Sequence, residues 1–140
     1  MSRTNSVKEH NKTQIDLIDE REFTFEAEYF DYTGVDDKQI DKFVEENRFD
    51  KYLTLKVGAP VLFLRNEEEY KNGERGIIVK IYPNAGQIEV RKENGEIVNV
   101  GKVTVSKNRV IEVFENGEIK EVLDPIFSFL QYPISLGFAI

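Results

Sequence analysis

Between residues 53 and 124, apolar residues occur in short β-branched or aromatic runs that are separated by turn residues. The runs cover residues 61–64, 76–82, 87–91, 97–100, 109–114 and 119–123. Asn-Gly pairs at 72–73, 94–95 and 116–117 favour two-residue hairpins, because a type I′ turn needs positive φ at both central positions. Short strands joined by tight turns predict a small antiparallel barrel over this region.

The first third of the chain has a different pattern. Ser6 and Glu9 have the spacing of a capping box, which predicts a helix over residues 6–19. Apolar and polar residues alternate over residues 23–29, as in a half-buried strand. Acidic residues followed by a short apolar face predict a second helix within residues 36–46.

Composition narrows the class of protein. A chain of 140 residues can bury one modest core, and 40% apolar with 32% charged residues is typical of a soluble globular protein. The absence of cysteine and the single histidine exclude disulfides and Cys/His zinc sites. We find neither a secretory signal nor an apolar stretch long enough to span a bilayer, and we therefore expect a cytoplasmic protein with no membrane partner.

The charge pattern bears on nucleic-acid binding. A net charge of −7 argues against an autonomous, high-affinity nucleic-acid binder, because contacts to phosphate dominate such affinity. The acidity lies mainly in residues 1–52, with 8 basic and 14 acidic side chains, whereas residues 53–124 have 11 and 12. Basic side chains interleaved with an aromatic ring could bind the phosphate backbone of a nucleic acid and stack on one of its bases. The candidates are Arg65, Tyr70, Lys71, Arg75 and Lys80, with ordinary surface charge as the alternative.

Catalytic arrangements are not evident. His10 would have to act from within a helix, and we interpret it as a surface or interface residue. Gly95 and Gly101-Lys102 miss the spacing of a phosphate-binding loop, and Val103 stands where the magnesium-binding Ser or Thr would be. Consecutive carboxylates such as Glu67-Glu68-Glu69 diverge from one another, which favours a solvated charge run over a metal or glycosidase-like site.

Three segments of the chain have motifs that are more specific than the strand pattern. Residues 53–66, LTLKVGAPVLFLRN, followed by NGERG at 72–76, resemble L-x-L-K-x-G-A-x-V-M-x-x-K-N…N-G-x-x-G, which opens the SH3-like 2B domain in the family of Pif-one/RecD-like DNA helicases of superfamily 1. Residues 131–140, QYPISLGFAI, are similar to Q-Y-P-L-x-L-A-W/F-A-I, where the family's chain re-enters its second RecA-like domain. RTN at 3–5, with Val7 and Asn11, resembles R/A-T-N-x-x-V-x-x-x-N of the same RecA-like domain.

The resemblance implies a mainly β fold: an SH3-like antiparallel barrel with an N-terminal helix–strand–helix extension, α+β overall. It divides the chain into a segment at the edge of the RecA-like domain with an acidic insertion (1–52), a 2B-like barrel (53–124) and a stub returning to the RecA-like domain (125–140). Residues 3–5 would end a strand or form its exit loop. Without the rest of that domain, the stub is expected to expose apolar side chains. These are Phe127, Phe129, Tyr132, Leu136 and Phe138.

The resemblance also implies a function. The parent would be an ATP-dependent 5′→3′ DNA helicase that uses ATP and Mg²⁺, and this module would help to position single-stranded DNA beside the RecA-like domains. The Walker lysine loop and the magnesium-binding acidic motif would precede Met1, and a T-x-H-K-S-Q-G motif would follow Ile140. We therefore expect no catalysis and no cofactor for this chain by itself. The alternative is a free-standing SH3/KOW-like interaction module that binds RNA or a protein partner.

Overall fold

The computed structural model describes residues 3–31 and 34–138, and it confirms the mainly β class with two helices. The helices are α1 (Arg3–Asp16) and α2 (Asp37–Glu46). The strands are β1 (Phe23–Glu26), β2 (Glu28–Asp31), β3 (Tyr52–Leu55), β4 (Pro60–Phe63), β5 (Arg75–Tyr82), β6 (Gln87–Lys92), β7 (Ile97–Gly101), β8 (Val103–Glu115), β9 (Glu118–Gln131) and β10 (Ile134–Leu136). Within these residues, no helix is both long and apolar enough to cross a membrane.

All strands pair antiparallel, in three sheets. The largest has the order β10-β4-β5-β6-β7, β1 pairs with β3, and the third sheet has the order β2-β9-β8. In the part of the chain that the structure describes, no ladder joins β7 to β10, so the predicted closed barrel is not found. The physical reason is the route of the chain after β7, which enters the long β8–β9 hairpin instead of returning along the edge of the five-stranded sheet.

The apolar residues form two clusters. The first covers the inner face of the five-stranded sheet and includes Ile15 of α1 and Tyr132 after β9. The second lies between α2 and β9, where Ile40 and Val44 pack against Phe127 and Phe129. The alternation of burial along β5, β6 and β7 sets one face of each strand against the first cluster and leaves the other exposed.

The aromatic residues of the C-terminal segment are buried instead of forming an exposed stub. Phe127, Phe129 and Tyr132 have exposed fractions of 1%, 0% and 0%, so the expectation that they expose apolar surface is wrong. They are covered because β9 pairs with β2 and packs on α2, while β10 joins the edge of the five-stranded sheet. Leu136 and Phe138 are half-buried against the first cluster.

Strand pairing also crosses the predicted segment boundaries between residues 52 and 53 and between residues 124 and 125. The N-terminal β2 pairs with the last residues of β9, and the C-terminal β10 pairs with β4 in the middle segment. The division into segments 1–52, 53–124 and 125–140 stays a prediction about domain organisation. Its boundaries do not coincide with breaks in the hydrogen-bond ladders.

The helices and the first strands differ in part from the prediction. Helix α1 begins at Arg3, so residues 3–5 are helical and Ser6 lies inside the helix instead of capping it. The alternating segment 23–29 is divided at Ala27, where the chain passes from one sheet to another. Helix α2 is confirmed: Asp36 caps it, and its Oδ1 accepts a hydrogen bond from the Gln39 amide at 2.9 Å.

The three Asn-Gly pairs form different turns. Asn116 and Gly117 have φ of 53° and 79°, the combination that a type I′ hairpin requires. At 72–73 and 94–95 only the glycine has positive φ, so neither pair forms a type I′ turn. The shared dipeptide therefore marks a reversal at each position but predicts the turn type only at the tip of the β8–β9 hairpin.

Beyond a bulge at Lys107/Asn108, β8 and β9 continue as a two-stranded ribbon. We call residues 108–124 of this hairpin the arm. Within the described residues, the arm strands pair only with each other, because the ladder between β2 and β9 ends at Phe127. The arm therefore extends outside both apolar clusters.

Polar side chains link segments that are distant in sequence. Lys56 is buried, and its Nζ donates to the carbonyls of Ile15 and Ile18, each at 3.0 Å, where α1 ends. Asn11 of α1 donates to the carbonyl of Leu136 at 3.3 Å. Lys56 and Asn11 both lie in the segments that resemble the helicase family, and here both hold α1 against the sheets.

Replacing Lys56 with methionine should lower the free energy of unfolding by about 2 kcal/mol, because two carbonyls at the C-terminal end of α1 lose a charged donor. Methionine keeps most of the apolar stem. Chemical denaturation measures the loss, and Lys12→Met, at an exposed position of α1, is the matched control. An equal effect in both variants would contradict a capping role for Lys56.

Candidate nucleic-acid interface

The outer face of the five-stranded sheet combines cations with apolar and aromatic groups. Arg75, Lys80 and Tyr82 extend from β5, and Arg91 extends from the neighbouring β6. Their side chains share one face because Ile78, Ile81 and Val90 point into the first apolar cluster, and the bulge between Ile78 and Lys80 keeps Lys80 on the same side as Arg75. Glu89, paired with Lys80, is the carboxylate on the β6 part of this face. We refer to this surface as the outer face.

A shallow cleft of about 350 Å³ crosses the outer face. Its lining residues come from β4, β5 and β6 and the turn after β6. They are Pro60, Arg75, Gly76, Ile77, Arg91, Lys92 and Glu93. Gly76 brings the strands together here, because a Cβ at this position would lie 2.5 Å from Val90 Cγ1 and 2.8 Å from the Arg91 carbonyl oxygen. Two arginines therefore border a cleft whose floor is backbone and apolar side chain.

The sequence-predicted residues are divided by the fold. Arg75 and Lys80 lie on the outer face, while Arg65 and Lys71 lie in the loop between β4 and β5. The Arg75 Nη1 donates to the Gly137 carbonyl at 3.0 Å, and the Lys71 Nζ donates to the Glu67 carbonyl at 3.0 Å. Both bonds are solvent-exposed, so each side chain can exchange its carbonyl for a phosphate oxygen.

Tyr70 lies in the core. Its exposed fraction is 5%, and its ring stacks on Phe63 with a centroid distance of 4.4 Å. Burial, followed by the nearby Glu67 and Glu69, raises the pKa of the Tyr70 hydroxyl to about 12. The ring has no open face for a base, and we therefore exclude Tyr70 from the candidate interface.

Two residues of the outer face were missed in the sequence. Tyr82 is half-buried, and the Lys80 Nζ lies 5.2 Å from its ring centroid, so an aromatic ring and a cation are adjacent here. Arg91 is exposed, and its guanidinium has no hydrogen-bond or ion-pair partner within residues 3–31 and 34–138. The alternation of polar and buried positions along β5 and β6 was the available signal, since it places Lys80, Tyr82 and Arg91 on one side.

Two lysines outside the outer face, Lys92 and Lys102, already contact other groups of the protein. Lys92 points inward, where its Nζ donates to the Glu69 carbonyl at 2.9 Å and lies 3.5 Å from carboxylate oxygens of Glu74 and Glu96. Lys102 follows β7, lies 3.9 Å from Glu28 and sits over the Tyr132 ring at 5.6 Å. These two cations serve the fold and are therefore not candidates for phosphate contacts.

The described part of the chain offers no group of three or more His, Asp or Glu side chains that could hold a metal ion. The carboxylates of Glu67, Glu68 and Glu69 border a second shallow depression with Tyr70 and Asn99. That arrangement does not fit a bound Mg²⁺, which takes a nearly octahedral set of oxygen ligands.

Comparisons with known proteins identify relatives of one kind. No protein-family profile matches the chain. The ATP-dependent DNA helicase Pif1 of Bdellovibrio bacteriovorus is 29% identical over 136 residues, which covers 96% of this chain and 27% of the relative. The chain therefore spans about a quarter of the length of this curated relative.

The solved structures that resemble this chain are also Pif1 helicases. The crystal structure of a Pif1 helicase double mutant from Bacteroides superimposes with a TM-score of 0.76 and 25% identity, covering 100% of this chain and 29% of that one. Bacteroides Pif1 in complex with ADP-AlF3 and single-stranded DNA gives a TM-score of 0.71 at 25% identity, covering 96% of this chain and 28% of that one. The similarity extends over nearly all of the described fold, including the helices and the C-terminal strand.

Proposed function

We propose that this Pif1-like superfamily 1 helicase segment is the SH3-like accessory (2B) module of an ATP-dependent 5′→3′ DNA helicase, and that it helps to position single-stranded DNA. The observation that carries the proposal is the outer face, where Arg75 and Arg91 line a cleft and Lys80 lies beside Tyr82 on the same face. Cations along a groove with an aromatic ring are the features that hold a single strand without reading its sequence.

The location of the negative charge supports this role. Most carboxylates lie in the N-terminal third and in the arm, and the outer face has three cations near Glu89, with Glu93 at the end of the cleft. A net charge of −7 still opposes approach to DNA by the isolated chain. When other surfaces of a helicase hold the strand, each contact of the outer face acts at high effective concentration. We therefore expect the module to orient DNA and not to capture it alone.

We assign the binding and hydrolysis of ATP to the rest of the helicase. A Bacteroides relative has been solved with ADP-AlF3 and single-stranded DNA. By analogy, the parent of this module uses ATP and Mg²⁺ on its RecA-like domains, and the remainder of those domains is the protein partner of the module. Such a helicase would work in the cytoplasm.

The test is salt-dependent binding by a full-length helicase that carries this segment. Lys80→Ala and Arg91→Ala should each weaken single-strand binding whatever the base sequence, because a phosphate contact is lost. Each should also reduce the slope of log affinity against log salt by about one unit. Fluorescence anisotropy with a labelled oligo-dT strand, repeated at several salt concentrations, measures both quantities.

Lys38→Ala, at an exposed position of α2, is the matched control and should leave affinity and salt slope unchanged. The double variant should lose about two units of slope if the contacts are independent. If Lys80→Ala and Arg91→Ala behave like the control, the outer face does not contact DNA and the proposed positioning role is wrong.

A further inference from the structure

The arm has one face that is apolar, exposed and acidic at its centre. Cross-strand pairing places Val110 opposite Leu123 and Phe114 opposite Ile119 on this face. Their exposed fractions are 61%, 69%, 77% and 66%. Between the two apolar pairs, Glu112 lies opposite Glu121. Four large apolar side chains exposed on one short ribbon form a surface that favours a protein partner.

The charge of the arm excludes nucleic acid as its occupant. Residues 108–124 carry two cations, Arg109 and Lys120, and five carboxylates. Arg109 is further neutralised by Asp124, whose Oδ2 accepts from its Nε at 2.8 Å. Phosphates would be repelled along the whole ribbon. The partner must instead present apolar groups on either side of a positive charge.

The outer face of the same chain has that pattern. Ile77 pairs with Arg91, and Arg91 pairs with Ile97, which makes a row of apolar, cationic and apolar side chains across β5, β6 and β7. Ile77 and Ile97 are 42% and 56% exposed, and Lys80 lies next to the row. Each arm strand presents the complementary row of apolar, anionic and apolar side chains.

We propose that the arm of one copy docks on the outer face of a second copy. Glu112 and Glu121 would meet Arg91 and Lys80, while the apolar side chains of the arm cover Ile77 and Ile97. Direct stacking of two arm faces is disfavoured, because it would bring four carboxylates together at the centre of the contact. The contact is therefore head-to-tail, so each copy offers one arm and one outer face.

This self-association does not depend on the proposed role in DNA handling, since it is measured without DNA. The two are nevertheless connected through Lys80 and Arg91. An arm that occupies the outer face presents carboxylates where a strand would present phosphates, so single-stranded DNA and the arm of another copy compete for the same surface.

Complementary charge reversal tests the proposal. In an arm variant, Glu112→Arg and Glu121→Arg keep a like-charge pair across the strands but reverse its sign. In a face variant, Lys80→Glu and Arg91→Glu reverse the outer face. Sedimentation equilibrium of the 140-residue chain should show concentration-dependent association for the unmodified protein. Each variant alone should associate at least about tenfold more weakly.

An equimolar mixture of the two variants should regain association, because each arm then meets an outer face of opposite charge. Circular dichroism confirms that both variants fold, and the regained association itself rules out unfolding as the cause of the loss. Lys12→Glu/Lys38→Glu, at exposed helical positions, is the control and should associate like the unmodified chain. A monomeric unmodified chain, or a mixture that stays dissociated, would overturn the proposal.

Discussion

Replacing Phe129 with alanine is expected to lower the free energy of unfolding by about 4 kcal/mol. The ring is fully buried, and it makes edge-to-face contacts with Phe43 and Phe49 at centroid distances of 5.8 and 5.1 Å. Truncation leaves a cavity between α2 and β9, where β9 is held by β2 on one side and β8 on the other. Urea denaturation monitored by circular dichroism measures the loss.

Phe114→Ala is the matched control, because Phe114 lies on the same hairpin with 77% of its surface exposed. It should change the free energy of unfolding by less than about 0.5 kcal/mol when measured on dilute protein. If the two substitutions cost the same, the burial of the C-terminal half of β9 is contradicted, and the expectation of an exposed stub over residues 125–140 regains support.

Gln131→Leu should cost about 3 kcal/mol although leucine has a similar size. The side chain is fully buried, and its Nε2 donates to the carbonyls of Phe25 and Asp50 at 2.9 and 3.0 Å. Its Oε1 accepts from the amide of Tyr132 at 3.0 Å. Leucine would remove the hydrogen bonds to these two carbonyls and to the Tyr132 amide in the interior.

Gln87→Leu provides the comparison, because Gln87 is exposed on β6. Its substitution should leave the denaturation midpoint almost unchanged. Amide hydrogen exchange adds a local readout, since the Tyr132 amide should exchange faster in Gln131→Leu than in the unmodified chain. Unchanged protection at Tyr132 together with unchanged stability would show that Gln131 does not join these segments.

Local patterns predicted those elements whose cause is local. Helix α2 follows from the Asp36 cap and the apolar face of Ile40 and Val44, which are all within ten residues of one another. The strands β5, β6 and β7 were predicted from short β-branched or aromatic runs separated by turn residues, and in the structure each buries one face. The short strands β3 and β10 were missed, since a strand of three or four residues is defined by its partner more than by its own sequence.

Non-local contacts explain the remaining differences. The alternating segment 23–29 serves two sheets because β1 pairs with β3 and β2 pairs with β9, and no residue near Ala27 identifies those partners. The closed barrel was predicted from the number of strands and turns, whereas closure depends on which edges meet. The motifs of the helicase resemblance identified the relatives without indicating that Lys56 and Gln131 act as internal hydrogen-bond donors.

The candidate site was predicted in part for a related reason. Arg75 and Lys80 were predicted from a basic segment and lie on the outer face. Tyr70 has the same polar neighbours in sequence, yet its ring fills a gap beside Phe63, a contact that depends on the path of the β4–β5 loop. Arg91 comes from another strand, and only the pairing of β5 with β6 brings it beside Ile77.

The order in which this chain can fold follows from where its two ends meet. Asn11 bonds to Leu136, 125 positions away, and Gln131 bonds to Phe25, 106 positions away. Closing such long loops costs conformational entropy before burial offsets it, so native topologies of this kind form slowly. The arm needs only neighbouring residues and one two-residue turn, and it can form first. During synthesis, the free edge of β4 therefore stays unpaired until residues 134–136 leave the ribosome, and the core of the described residues is completed only then.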